Sequence, residues 1–113
     1  MHVPVIDRER LDSICGGDPS LGLELVDMLI EEAGPLVLAL QGLVSERDRT
    51  ATREQAHALK GIAGNVGAAR LQAMALALER AAADEAAWPL LDESLAGVAG
   101  ALDELRAERA KGI

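Results

Sequence analysis

A chain of 113 residues can bury one hydrophobic core but not two independent ones, so we expect a single domain over residues 1–113. Half of the residues are hydrophobic, but there is no Phe or Tyr and only one Trp, a composition that favours helices over strands. The formal net charge of -8 argues against nucleic-acid binding, because that affinity depends on Lys and Arg neutralising phosphates.

Cysteine usage and the N-terminus bear on the compartment. Cys15 is the only cysteine, which excludes an intrachain disulfide and a thiolate metal cluster and fits a reducing cytoplasm. The N-terminus lacks a basic segment followed by a long apolar run, and no stretch approaches the roughly 20 uncharged apolar residues of a membrane span. We therefore expect a cytoplasmic protein that does not insert into membranes, and we assign no role to His2.

The first predicted helix is short. Asp7 is a suitable N-cap, and Gly16-Gly17 is expected to end the helix. Its inward side would carry Leu11, Ile14 and Cys15, with Cys15 acting as a small buried hydrophobe.

The second predicted helix is long, running from Asp18-Pro19, an N-cap followed by a first helical position, to about Glu46. Gly34-Pro35 lies in its middle, but the apolar pattern keeps its register there, which predicts one helix kinked at the proline. The seam facing the bundle is predicted to be Leu25, Leu29, Ala33, Leu36, Leu40 and Leu43.

A connection over 45–50 precedes the third helix, which is expected from about Ala51 to Asn65. Gly67 suits the left-handed conformation that ends a helix, so 66–68 is predicted to be a tight reversal joining two antiparallel helices. The inner stripe of the fourth helix would be Leu71, Met74, Leu78 and either Ala81 or Ala82. Its solvent side would carry Arg70, Gln72, Glu79 and Arg80.

Pro89 is expected to start the last helix, and Trp88 to cap the core at the preceding loop. The seam of this helix is predicted to be Leu91, Leu95, Val98, Leu102 and Leu105, and the charged end, 106–113, is expected to fray. These elements predict an all-α fold, an up-down four-helix bundle with a short additional N-terminal helix.

The third helix separates its residues by chemical type. On a helical wheel His57, Lys60, Gly61 and Gly64 share one face, and the opposite face carries the apolar Leu59, Ile62, Ala63 and Val66. Two glycines inside a helix each cost about 1 kcal/mol relative to Ala. Their position beside a histidine therefore suggests that a partner needs room to approach.

An exposed imidazole, with an ordinary pKa of about 6.5, has a neutral nucleophilic nitrogen at neutral pH and could attack a phosphoryl group. Lys60, one turn away, could balance the charge of the phosphate oxygens, and Arg53, one turn the other way, could assist. Glu54 could orient the ring, although a Glu at this spacing is more often solvated.

The residues that other kinds of active or binding site require are missing from this face or from the sequence. No Ser or Cys nucleophile shares the His57 face, no second His follows at zinc-ligand spacing, and no Gly-rich nucleotide loop is present. On the residues alone, His57 could still be an ordinary surface histidine beside incidental glycines. It could also be a phosphate carrier or a docking residue.

Residues 56–68, Ala-His-Ala-Leu-Lys-Gly-Ile-Ala-Gly-Asn-Val-Gly-Ala, resemble the motif of histidine phosphotransfer (HPt) domains. The likeness includes His57, Lys60 three residues later, Gly61 four later, the small residue Gly64 seven later, and Asn65. It continues through the Gly67-Ala68 turn to Leu71 and Leu78-Glu79. The helix order is also similar over nearly the whole chain.

The resemblance implies a phosphorelay carrier that is not an enzyme. His57 would accept a phosphoryl group from the aspartate of a receiver domain, or from a partner kinase, and pass it to another receiver. Lys60 would balance charge and Gly61 and Gly64 would give access. Around them, docking contacts are expected from Arg53, Glu54, Ala58 and Ala68.

The expected partners are response-regulator receiver domains, a hybrid sensor histidine kinase, or both. The receiver would bring Mg²⁺, so we expect no metal or other cofactor bound to this chain, which we expect to be a monomer. The principal alternative is a helical bundle that docks a receiver or kinase without being phosphorylated. A third possibility is the substrate domain of a kinase that uses ATP and lies on another polypeptide or elsewhere in a longer chain.

Overall fold

The computed structural model describes residues 2–112, and this part of the chain forms helices without any strand. The α-helices are α1 (Arg8–Cys15), α2 (Pro19–Ser45), α3 (Arg49–Val66), α4 (Ala69–Ala83) and α5 (Leu91–Ala110). A short 3-10 helix, Glu85–Leu90, lies between α4 and α5. No helix among these is long and apolar enough to cross a membrane.

Helices α2 to α5 form a four-membered ring in which each packs against its two neighbours: α3 contacts α2 and α4, and α5 contacts α4 and α2. Helix α1 lies outside this ring against α2 and α3. The predicted up-down four-helix bundle with a short N-terminal helix is therefore confirmed.

Aspartate side chains begin most of the helices. A carboxylate in this position satisfies one of the free N–H groups of the first turn. The four caps are Asp7 to the Arg10 N–H (3.1 Å), Asp18 to Ser20 (3.0 Å), Asp48 to Ala51 (3.1 Å) and Asp84 to Ala86 (3.0 Å). The predicted starts at Asp7 and Asp18-Pro19 are confirmed, whereas Asp48 starts α3 earlier than expected and shortens its connection to residues 46–48.

Helix α2 is continuous through Pro35, as predicted, while the kink itself stays a prediction. Part of the buried face of α2 was predicted one residue away from its observed position. Leu29, Ala33 and Leu40 are buried, but Leu25, Leu36 and Leu43 only flank the core. The adjacent positions Val26, Val37 and Val44 are buried in their place.

The other seams are close to prediction. In α4 the buried residues are Leu71, Ala75, Leu78, Ala81 and Ala82, so Ala75 is more deeply buried than the predicted Met74. In α5 they are Leu91, Val98, Ala101, Leu102 and Leu105. Cys15 is buried as expected, but Ile14 was wrongly placed inward and is 39% exposed.

The region around Pro89 differs from the prediction. Pro89 lies inside the 3-10 helix, and α5 begins only at Leu91. Trp88 packs against the core as predicted, but its buried indole N–H has no hydrogen-bond partner within residues 2–112.

The end of α5 was wrongly expected to fray from residue 106. The helix continues to Ala110, and Arg109 donates two hydrogen bonds to the Asp27 carboxylate, at 2.7 and 3.1 Å. This pair fastens α5 to α2. Ile113 lies outside the described residues.

The turn between α3 and α4 is only Gly67-Ala68. Gly67 has the predicted left-handed conformation, with φ of 81°, and its carbonyl accepts a hydrogen bond from the Asp7 N–H at 2.8 Å. A Cβ at Gly67 would lie 3.1 Å from the Asp7 carbonyl oxygen, so both conformation and space require glycine. This short turn sets α4 directly beside the His57 helix.

Candidate functional site

Helix α3 presents His57 to solvent from a firmly packed base. The His57 side chain is 66% exposed, while Ala56, Leu59 and Ala63 on the inner face are fully buried. Burial of these three side chains fixes the rotation of the helix, because turning it would expose them. The wheel therefore placed His57, Leu59 and Ala63 correctly, whereas Ile62 and Val66 of the predicted inner face are only partly buried.

Glu79 of α4 links His57 and Lys60. Its Oε2 lies 2.8 Å from Nδ1 of His57, and its Oε1 accepts a hydrogen bond from the Lys60 ammonium at 2.7 Å. The Glu79 side chain is only 17% exposed and Lys60 is 26% exposed. The expectation that Glu79 faces solvent was therefore wrong, and the orienting role considered for Glu54 falls to Glu79.

The ionisation of Glu79 defines the state of the imidazole. The hydrogen bond from Lys60, aided by that from His57, holds the pKa of the Glu79 carboxyl below its ordinary value, although desolvation opposes the shift. An ionised carboxylate can only accept hydrogen bonds. Nδ1 of His57 must therefore carry the proton, which leaves Nε2 with a free lone pair when the ring is neutral.

The two glycines of this face have different surroundings. A Cβ at Gly61 would meet no atom within 4 Å, so its surface is open. A Cβ at Gly64 would lie 2.6 Å from the Gln72 side-chain nitrogen of α4. Gly61 thus has the open surface that access requires, whereas Gly64 accommodates a side chain of its own protein.

An open groove of about 540 Å³ borders the imidazole between α3 and α4. Besides His57 and Glu79, its walls include Arg49, Arg53 and Glu54 from α3 and Ala82 and Ala83 from α4. Within residues 2–112, the guanidinium groups of Arg49 and Arg53 form no ion pair. Two cations without an ion pair therefore lie along the α3 wall of this groove, with Arg53 nearer to His57 in the chain than Arg49.

Of the four residues expected to dock a partner, Arg53, Glu54 and Ala58 are exposed on α3. Ala68 is not available, because it is 1% exposed in the turn between α3 and α4. Its place in the motif reflects packing of the turn, and its expected docking contact is withdrawn.

Sequence reasoning missed the bond between His57 and Glu79 because a helical wheel compares positions only within one helix. The residue lies 22 positions further along the chain, on a different element. The available signal was the likeness that extended through Leu78-Glu79, which marked the position without showing its contact.

Comparison with known proteins gives one family and one solved structure. The sequence model of the Hpt domain family matches residues 24–108. The crystal structure of histidine-containing phosphotransfer protein B (HptB) from Pseudomonas aeruginosa PAO1 is similar with a TM-score of 0.72. That match has 23% sequence identity over 96% of each chain, and it shows a shared fold. No curated protein sequence matches the chain significantly.

Proposed function

Because the chain belongs to the Hpt domain family and is a phosphorelay carrier, not a kinase, we propose that His57 is its phosphoryl acceptor. Its partners are of the two-component class, and His57 takes the phosphoryl group from the aspartate of a receiver domain or from a kinase. It then gives the group to the aspartate of another receiver. The observation supporting this proposal is an exposed imidazole whose Nδ1 is held by an ionised carboxylate.

The transfer step uses Nε2. Its lone pair attacks the phosphorus of the receiver's phospho-aspartate, forming an N–P bond as the P–O bond to the aspartate breaks. The aspartate leaves as a carboxylate, and the His57 ring keeps its Nδ1 proton, hydrogen-bonded to Glu79. In onward transfer a carboxylate oxygen of the accepting aspartate forms a P–O bond while the N–P electron pair returns to Nε2. The retained Nδ1 proton makes the departing imidazole neutral and therefore a better leaving group.

The neighbouring residues take supporting roles. The Lys60 ammonium lies at the same carboxylate as His57 and balances the charge of Glu79, so that the surroundings of the phosphoryl group do not add a negative charge of their own. Gly61 leaves space for the receiver to close over the ring. Gly64 keeps this face free of a side chain, because a Cβ there would meet only the end of the exposed Gln72 side chain. The exposed Arg53, Glu54 and Ala58 form the surrounding contact surface.

The partner supplies what this site does not. The receiver brings Mg²⁺ and the acidic pocket that holds it, and this chain binds no nucleotide. The upstream partner is a receiver domain, which can belong to a hybrid sensor histidine kinase, and the downstream partner is a response regulator. The proposal places the domain in the cytoplasm as a monomer.

The test is a transfer assay with purified receiver domains from the source cell. A receiver carrying labelled phospho-aspartate is mixed with this chain and Mg²⁺. Label is expected on this chain, with the acid-labile, base-stable behaviour of phosphohistidine. Binding of receivers without any transfer of label would instead identify a docking bundle that is not phosphorylated.

Replacing Glu79 with Gln is expected to slow transfer by about tenfold or more, because a hydrogen bond to a charged group is lost. A Gln amide can also present an N–H to Nδ1, which would move the ring proton to Nε2 and block the nucleophile. Nitrogen-15 NMR of the imidazole reports this change directly. Glu54→Gln is the matched control, and its tautomer signature should equal that of the wild type.

The same variant has a pH signature. Since the folded-state pKa of Glu79 is lowered, its stabilising contribution is present above the ordinary value of 4.5 and is lost as the pH falls through the folded value. The free energy of unfolding, measured with urea, should therefore fall more steeply on acidification for the wild type than for Glu79→Gln. If the unfolding free energies of the two proteins depended equally on pH, or if the NMR tautomer were unchanged, the role given to Glu79 would be contradicted.

Replacing Gly61 with Ala is expected to make the fold more stable but phosphoryl transfer slower. Within a helix the change should stabilise the fold by about 0.5–1 kcal/mol, since no atom lies within 4 Å of the added Cβ. Transfer should become slower, because the methyl group enters the space used by the receiver. Gly42→Ala in α2 is the matched control, with the same open surroundings at a distance from His57. If both variants transfer at the wild-type rate, Gly61 has no access role.

A further inference from the structure

The cation nearest to His57 is already paired with a carboxylate, so it does not offset the negative charge of a phosphoryl group on the ring. The Lys60 ammonium lies 2.7 Å from Glu79 Oε1, so the formal charges of these two side chains cancel. The phosphoryl oxygens carry a charge of about -1.5 to -2, and the ring, which keeps its Nδ1 proton, offsets only about one unit of it. Phosphorylation of His57 therefore calls for a cation beyond Lys60, on a chain whose formal net charge is already -8.

Arg53 is placed to supply that cation. It lies one helical turn before His57 on α3, a spacing that brings Cβ atoms within about 5–6 Å, and both side chains line the same groove. It is exposed and forms no ion pair with any residue in 2–112. Arg49 is about 12 Å from His57 along the helix axis, which is too far for the same contact.

Two carboxylates also face this groove and must be considered. Glu79 is turned toward Nδ1 and Lys60, and in an imidazole Nε2 lies on the other side of the ring. Glu54 is exposed and is not among the hydrogen-bond or ion-pair partners of His57 within residues 2–112, so its charge is screened by water. A phosphoryl group on Nε2 would thus be directed away from Glu79, and Arg53 borders the groove beside the same ring.

We propose that Arg53 donates hydrogen bonds from its guanidinium to the phosphoryl oxygens on Nε2 of His57 and so stabilises the phosphorylated form. The planar guanidinium matches a phosphate with two parallel N–H groups. This inference rests on the proposed function of His57. It gives Arg53 a role in holding the phosphoryl group, in addition to contact with a partner.

The equilibrium of transfer tests this role. Phosphorylated receiver, this chain and Mg²⁺ are mixed until the distribution of label between the two proteins no longer changes, and the reaction is repeated from the phosphorylated form of this chain. Arg53→Gln should lower the equilibrium constant for phosphorylating this chain by about threefold, the effect of one exposed ion pair. Arg53→Lys keeps the positive charge and should lower this constant by a smaller factor. Arg80→Gln removes an exposed arginine of α4 that lies outside the groove walls and has no ion pair among residues 2–112, so it should leave the constant unchanged.

The equilibrium constant separates this proposal from simple docking. If Arg53 contacts only the receiver, Arg53→Gln changes the forward and reverse rates by the same factor and leaves the constant at its wild-type value, which would overturn the inference. Failure of the proposed function gives a different result, since wild-type chain would then take up no label. Phosphoramidate tests without a receiver whether His57 accepts a phosphoryl group. Attack by Nε2 on its phosphorus releases ammonia and leaves the phosphoryl group on His57.

Discussion

Replacing His57 with Gln is expected to reduce phosphorylation of the chain to background. The glutamine amide nitrogen has no free lone pair for attack on phosphorus, so the acceptor is removed and not merely displaced. The fold should persist, because the His57 side chain is 66% exposed and surface substitutions usually change stability by less than about 0.5 kcal/mol. Transfer from a labelled receiver measures the first effect, and urea unfolding measures the second.

The second histidine offers the matched control. The chain has only two histidines, and Nε2 of His2 lies 3.2 Å from the Arg70 guanidinium, at a position separate from the α3 groove. His2→Gln should keep wild-type incorporation. Full labelling of the His57→Gln variant would refute the assignment of His57, and loss of labelling in His2→Gln would move the acceptor to the N-terminus.

The largest expected loss of stability comes from Leu59→Ala. Leu59 is fully buried on the face of α3 opposite to the imidazole, and large-to-small core substitutions of this kind cost about 2–5 kcal/mol. A domain of this size has a total unfolding free energy of only about 5–15 kcal/mol. The variant should therefore show a much lower urea midpoint with a similar slope, and it should lose transfer activity as α3 loosens.

Leu38→Ala in α2 makes the same chemical change at the surface. Leu38 is 69% exposed, so its truncation should change the unfolding free energy by less than about 0.5 kcal/mol. If the two leucine variants had equal midpoints, the inward face of α3 assigned here would be wrong.

The limits of sequence reasoning are clearest where two neighbouring residues are both apolar. In α2 the pairs 25–26, 36–37 and 43–44 each offer two hydrophobic side chains, so periodicity fixes the helix but leaves its rotation uncertain by one position. Packing against α3 and α5 decides in favour of Val26, Val37 and Val44. Around Pro89 local propensity was also insufficient, since it allows an α-helix to start there, whereas Pro89 lies in a 3-10 helix and α5 starts at Leu91.

Local chemistry by itself determined much of this protein. The Asp7 and Asp18 caps, the left-handed Gly67 and the exposed His57 face opposite a buried one depend on residues close together in the chain, so the sequence was sufficient for them. Only the tertiary structure decided which charges meet. Glu79 reaches His57 and Lys60 from another helix, and Ala68 is buried. Arg53 lines the groove beside the ring and has no ion pair in the part of the chain that the structure describes. These contacts depend on how α4 is set against α3, and helical periodicity contains no information about the distance between side chains on different helices.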